Sequence, residues 1–151
     1  MKPTFILDRL AVGGYACTAE KKFNYTLSLV FEPEIVKEIK RNTAGCFARD
    51  LFVMADGDKE GFKEAIEKYT ETVVYHLRRG VVLINCEAGM SRSCAFVVNI
   101  LVRMGFSLSA AEAYVRERVS EYCASDVFIQ VIREHYNLKG IEEKWSAFSN
   151  T

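Results

Sequence analysis

The chain has 151 residues, half of them hydrophobic and 26% charged, the profile of a globular protein with enough material for one core and too little for two. Its 20 basic and 20 acidic side chains cancel, which argues against a bulk basic field for nucleic acid or an anionic membrane surface. No apolar run nears the roughly 20 residues of a membrane-spanning helix. The N-terminal Met1-Lys2-Pro3-Thr4 has no apolar leader, and Lys2 stands where a myristoyl acceptor needs glycine. A cytoplasmic location, or a nuclear one, without a membrane anchor is therefore expected. The cysteines at 17, 46, 86, 94 and 123 are odd in number, irregularly spaced and without a C-x-x-C pair. They suggest neither a disulfide framework nor a metal site.

Short strands are expected at Phe5–Leu7, Leu10–Val12, Thr26–Phe31 and Phe47–Met54, with a helix after Pro33 covering Ile35, Val36 and Ile39. From Lys59 to Arg79, Phe62, Ile66, Tyr69, Val73 and Leu77 recur at helical spacing, and Gly80 stands where a helix commonly ends. Val81-Val82-Leu83-Ile84 is a short β-branched run, read as a strand buried on both faces. Arg92 to Met104 is apolar almost all round and predicts a buried helix closed by Gly105. A helix from Leu108 to about Val119 can be capped by Ser107 or Ser109, the latter at capping-box spacing from Glu112, and a last helix spans Ser125–Tyr136. With no linker or repeat, residues 1–151 read as a single α/β domain.

The chemistry concentrates in Cys86-Glu87-Ala88-Gly89-Met90-Ser91-Arg92-Ser93, between the buried strand and the buried helix. Backbone N–H groups in such a loop converge on one point, and the helix N-terminus adds positive charge there, making an anion site. The same field is expected to lower the Cys86 thiol below its ordinary range and make it a nucleophile. Gly89 lets the backbone approach a phosphate closely. Arg92, six residues after Cys86, can grip two phosphoryl oxygens with its planar fork, and the Ser93 hydroxyl can bond the sulfur as it leaves. A Cys-x5-Arg spacing alone is weak evidence. Its seat in a Gly/Ser-rich loop between two buried elements is what weighs against inert packing. Cys94, Cys17, Cys46, Cys123, His76, His135, Arg41 and Arg49 have bland readings as core or solvated residues.

The octapeptide resembles the active-site signature of the dual-specificity branch of the cysteine-based protein tyrosine phosphatases, especially its Ala-Gly-x-Ser-Arg-Ser form. Leu10-Ala11-Val12-Gly13-Gly14, Phe52–Asp56 and Ser125–Tyr136 are similar to that family's early strand and turn, acid-bearing strand end and closing helix. The resemblance implies the phosphatase fold, a central mostly parallel sheet flanked by helices, and no cofactor or metal. It implies a two-step reaction through a phosphocysteine, with catalytic Cys86, Arg92, Asp56 and Ser93, and with Glu87, Ala88, Gly89, Met90, Ser91 and Arg92 around the substrate phosphate. The family's acid/base aspartate lies about thirty residues before the cysteine. Asp56 lies thirty before Cys86, with Asp58 a rival that suits a helix cap. Asn85 replaces the histidine usual before the nucleophile and is expected to raise the thiol pKa somewhat. Glu87, and the lack of Lys or Arg at positions 87–91, favour a phosphorylated protein substrate, phosphotyrosine or phosphoserine/threonine. The rivals are a lipid, nucleotide or sugar phosphatase and a non-catalytic phosphopeptide-binding module.

Overall fold

The computed structural model describes residues 2–20, 22–87 and 90–138. Within them lie β1 (Thr4–Leu7), β2 (Leu10–Gly14), β3 (Tyr25–Val30), α1 (Pro33–Asn42), β4 (Ala48–Val53), α2 (Lys59–Leu77), β5 (Val82–Cys86), α3 (Arg92–Arg103), α4 (Leu108–Arg118) and α5 (Asp126–His135). A short 3-10 turn at Tyr15–Ala19 also follows β2, too brief to leave a hydrophobic period in the sequence. The strands form one sheet in the order β1-β2-β5-β3-β4, parallel except for β1 at the edge. The fold class is α/β, with the mostly parallel central sheet expected.

Strand alternation divides the sheet into two unequal faces. Leu10, Val12, Tyr25, Leu27, Leu29, Val82 and Ile84 point into the main core, which is filled from α2, α3 and α5 by Phe62, Ile66, Phe96, Val97, Phe128 and Ile132. The opposite face holds a small cluster of Ala11, Cys17, Phe23 and Leu83, and a cleft lined by Thr26, Ser28, Ile39 and Thr43 lies between β3 and the end of α1. β5 lies between β2 and β3 and is buried along its whole length, as the apolar run Val81–Ile84 leads one to expect.

Two helix ends show how local chemistry fixes the turns. After α3, Gly105 takes φ +111°, and paired bonds from Phe106 N–H to Leu101 and Gly105 N–H to Val102 form a Schellman closure. Gly80 is needed for a different reason: a Cβ there would lie 2.0 Å from Asn24 Oδ1, and that oxygen accepts from the Val81 amide at 3.0 Å. For α4, Ser107 is the cap, accepting from Ala110 N–H. Glu112 accepts from the Tyr122 hydroxyl at 3.0 Å.

Every parallel strand ends at the same edge of the sheet, and the N-termini of the 3-10 turn, α1, α2 and α3 follow directly from those ends. The amide of Ser125, at the start of α5, also reaches this edge. Such an edge is where α/β sheets place ligands.

Candidate active site

β5 carries Cys86 as its last residue, 1% exposed, and its Sγ lies 3.1 Å from the Ser93 hydroxyl in the first turn of α3. The Glu87 carbonyl accepts from the Tyr15 amide at 3.2 Å, tying the loop to the 3-10 turn. Met90 sends its side chain into the main core. Ser91 precedes α3 without capping it through its side chain. Its Oγ donates to Asp56 Oδ1 at 2.6 Å and accepts from the Ser125 amide at 3.2 Å. One hydroxyl therefore links the loop to the end of β4 and the start of α5. Ala88 and Gly89, expected around the phosphate, lie outside the described residues.

Arg92 is held from two sides. Its Nη1 donates to the Met54 carbonyl at 2.9 Å, and its Nη2 pairs with Glu87 Oε1 at 2.5 Å. Only 8% of the residue is exposed, and Nε is buried without a hydrogen-bond partner among the described residues. A buried guanidinium N–H left open is costly unless a ligand completes it. Glu87 is anchored in turn, accepting from the amides of Phe31 at 3.3 Å and Glu32 at 2.9 Å just before α1. Its carboxylate thus faces inward, onto Arg92 and the entry to α1. Glu87 therefore holds Arg92, a positioning role that loop composition alone did not show.

The thiol environment also departs from expectation. Burial pushes Cys86 above the ordinary thiol range, and the Glu87 charge adds to that. Hydrogen bonds from the Ser93 side chain and backbone, and the Arg92 charge, pull the other way without winning. The expected lowering of the thiol is therefore not met: desolvation at the base of the loop outweighs the local positive field. Asn85 is fully buried, donates from Nδ2 to the Leu27 carbonyl at 3.3 Å and leaves Oδ1 without a partner among the described residues. It bridges β5 and β3 next to Cys86.

Asp56 and Asp58 separate cleanly. Asp58 caps α2, accepting from the Gly61 amide at 2.9 Å, whereas Asp56 bonds to Ser91 in the loop. Cys86, Glu87, Ser91, Arg92, Ser93 and Asp56 therefore gather in one place. Sequence reading missed the carboxylate of Glu87 as the partner of Arg92, and the Ser125 and Tyr15 amides as loop anchors. No local pattern signals these contacts: the Ser125 and Tyr15 amides lie far from the loop in the chain, and the Glu87–Arg92 pair depends on how the loop folds back on itself. A cleft of about 800 Å³ lies elsewhere, lined by Phe5, Leu7, Arg9, Leu77, Met104 and Tyr114. It holds none of the loop chemistry.

The amino-acid sequence matches no protein-family model and no curated protein. Solved structures do match. The human tyrosine phosphatase-like serine/threonine/tyrosine-interacting protein superposes with a TM-score of 0.74 at 22% identity, over 90% of this chain and 96% of that one. Human DUSP28 gives 0.73 at 16% identity over 87% and 90%. The Cydia pomonella PTP-2 phosphatase gives 0.69 at 22% over 88% and 89%. With its five-stranded sheet and its loop between β5 and α3, the chain has the fold shared by dual-specificity and protein tyrosine phosphatase-like proteins.

Proposed function

We propose that the protein is a cysteine-dependent phosphatase acting on phosphorylated protein side chains, both phosphotyrosine and phosphoserine/threonine. The observation that carries this reading is the convergence of the Cys86–Ser93 contact, the half-engaged Arg92 and the Asp56–Ser91 bond on one loop at the carboxyl edge of the sheet. In the first step the Cys86 thiolate attacks phosphorus in line, an S–P bond forms, and the P–O bond to the substrate breaks while Asp56 gives its proton to the departing oxygen. In the second, Asp56 takes a proton from water as that water attacks phosphorus, and the S–P bond breaks with the Ser93 hydroxyl bonded to the leaving sulfur. Arg92 supplies Nε–H to the equatorial oxygens, held in place through its terminal nitrogens.

The name of one structural neighbour couples phosphatase likeness with interaction, so binding without turnover is the rival to exclude. Hydrolysis of a small aryl phosphate tests the reading. Wild type is expected to turn it over and Cys86→Ser to lose all activity; equal rates for the two proteins, or none for wild type, overturn it.

A further inference from the structure

Strand β3 alternates apolar and hydroxyl residues, Tyr25-Thr26-Leu27-Ser28-Leu29, a pattern that ordinarily leaves the polar face in water. Here both faces are covered: Thr26 is 1% exposed and Ser28 0%. Tyr25, Leu27 and Leu29 fill the main core, so the two hydroxyls lie on the other face, towards α1. Asn85 shares that face, because it pairs with Ser28 in the β3–β5 ladder and follows Ile84, which points into the main core. Thr26 Oγ1, Ser28 Oγ and Asn85 Oδ1 are buried without a hydrogen-bond partner among the described residues. Three neighbouring polar atoms in that condition call for a common partner, since buried polar groups are costly to leave open.

The space beside them is polar and roomy. A cleft of about 170 Å³ is lined by Thr26, Ser28, Ile39, Thr43, Arg49 and Leu51, many times what one water molecule needs. The helix above it brings little apolar surface: α1 buries Ile39 alone, whereas α2 buries Phe62, Ala65, Ile66, Tyr69, Thr70 and Val73. The other polar groups of the cleft are engaged with each other. The Thr43 hydroxyl donates to the Ile39 carbonyl at 2.8 Å, and Arg49 Nη1 donates to the Lys40 carbonyl and to Thr43 Oγ1, both at 2.9 Å.

We propose that Thr26, Ser28 and Asn85 bind a short file of water between the sheet and α1, and that this water positions Asn85 beside Cys86. In-register neighbours on adjacent strands lie about 5 Å apart, and alternate residues of one strand about 7 Å. One water therefore spans Ser28 and Asn85, and one or two span Thr26 and Ser28. Asn85 Nδ2 donates to the Leu27 carbonyl at 3.3 Å, and a water on Oδ1 holds the amide from its other end. Ser28 is then a positioning residue that acts on Cys86 through water and Asn85. The water file stands apart from the phosphatase reading; its bearing on a nucleophile rests on that reading.

The test exchanges hydroxyls and leaves the Cys86–Ser93 loop intact. Thr26→Val keeps the shape and removes the hydroxyl, whereas Thr26→Ser keeps the hydroxyl and removes a methyl. With water bound, valine should lower the urea midpoint more than serine does. A dry hydroxyl predicts the reverse, because valine then removes an unpaired group. Magnetic relaxation dispersion of water oxygen should report fewer long-lived waters in Thr26→Val with Ser28→Ala than in wild type. Positioning is read from alkylation of Cys86 against Cys94, both buried, followed by mass spectrometry. Ser28→Ala should speed Cys86 labelling by about threefold or more relative to Cys94, since local opening at the end of β5 exposes one thiol and general destabilisation exposes both. In an Asn85→Ala background the same change should add no such selectivity. A valine midpoint at or above the serine one, an unchanged water count, a Cys86 rate that does not outpace that of Cys94, or full additivity with Asn85→Ala overturns the proposal. None of these measurements needs turnover, so a wild type inert towards an aryl phosphate overturns the phosphatase reading alone.

Discussion

Arg92 and Glu87 form a nearly buried ion pair five residues apart, with Nη2 2.5 Å from Oε1, and each is further anchored to backbone at the end of a different strand. Glu87→Gln keeps the shape but removes the charge, leaving Arg92 less firmly oriented. Stability should fall by about 1–3 kcal/mol in urea unfolding, and vanadate affinity by about tenfold. The same carboxylate opposes the Cys86 thiolate, so its removal should shift the midpoint of Cys86 alkylation to lower pH. An unmoved midpoint would show that Glu87 acts through packing alone.

Asp56 and Asp58 are two residues apart yet are engaged by different parts of the structure. Asp56→Asn should slow hydrolysis of an alkyl phosphate by about 10² or more, and that of a good aryl leaving group far less. Asp58→Ala should cost about 1 kcal/mol of stability through its lost cap and leave this leaving-group dependence intact. The slope of rate against leaving-group pKa, measured for both variants, checks the division.

Asn99, fully buried in α3, donates to the Thr70 hydroxyl at 2.9 Å and accepts from the Tyr136 hydroxyl at 2.6 Å, joining α2, α3 and the end of α5. Asn99→Ala should cost about 2–4 kcal/mol, because it leaves a cavity and strips partners from Thr70 and Tyr136. Tyr136→Phe should cost about 1–3 kcal/mol by leaving Asn99 Oδ1 unpaired. Chemical denaturation of both variants measures the costs; near-zero values would mean that water replaces the network.

Stability should fall as pH rises into the alkaline range. Burial raises the thiols of Cys17, Cys86 and Cys94 and the phenol of Tyr25, and it pushes Tyr136 up to about 12. A group raised in the folded state keeps its proton where the unfolded chain has lost it, so stability is full below the unfolded values and declines above them. The decline should begin near pH 8.5 for thiols and steepen near pH 10 for tyrosines. Tyr25→Phe should flatten the second phase, since the buried Tyr25 hydroxyl donates to Asp50 at 2.8 Å. Urea midpoints at pH 7, 9 and 10 would reveal a flat profile if these groups were open to solvent.

Much of the architecture was legible because period and punctuation agree locally. The repeat of Phe62, Ile66, Tyr69 and Val73 specifies α2, and the short run Val81–Ile84, bounded by Gly80 and Asn85, reads as a strand flanked on both sides. Even so, the roles of Gly80 and Ser107 needed neighbours in space, since Asn24 fills the room beside the one and the first turn of α4 chooses the other. In the site, the signature residues could be named from Cys86 to Ser93, but the electrostatic balance at Cys86 could not. That balance depends on burial and on where a carboxylate points.

The sequence by itself determined that a cysteine, an arginine six residues later and two serines would sit between a buried strand and a buried helix, because hydrophobic periodicity and loop composition are properties of neighbouring residues. Only the tertiary structure decided what surrounds them. It turned Glu87 onto Arg92, brought Asp56 rather than Asp58 to Ser91, and raised the thiol instead of lowering it. It also brought the starts of α1, α2 and α5 to one edge of the sheet. Charge and burial act through distance in space, and the parallel order of the strands sets those distances.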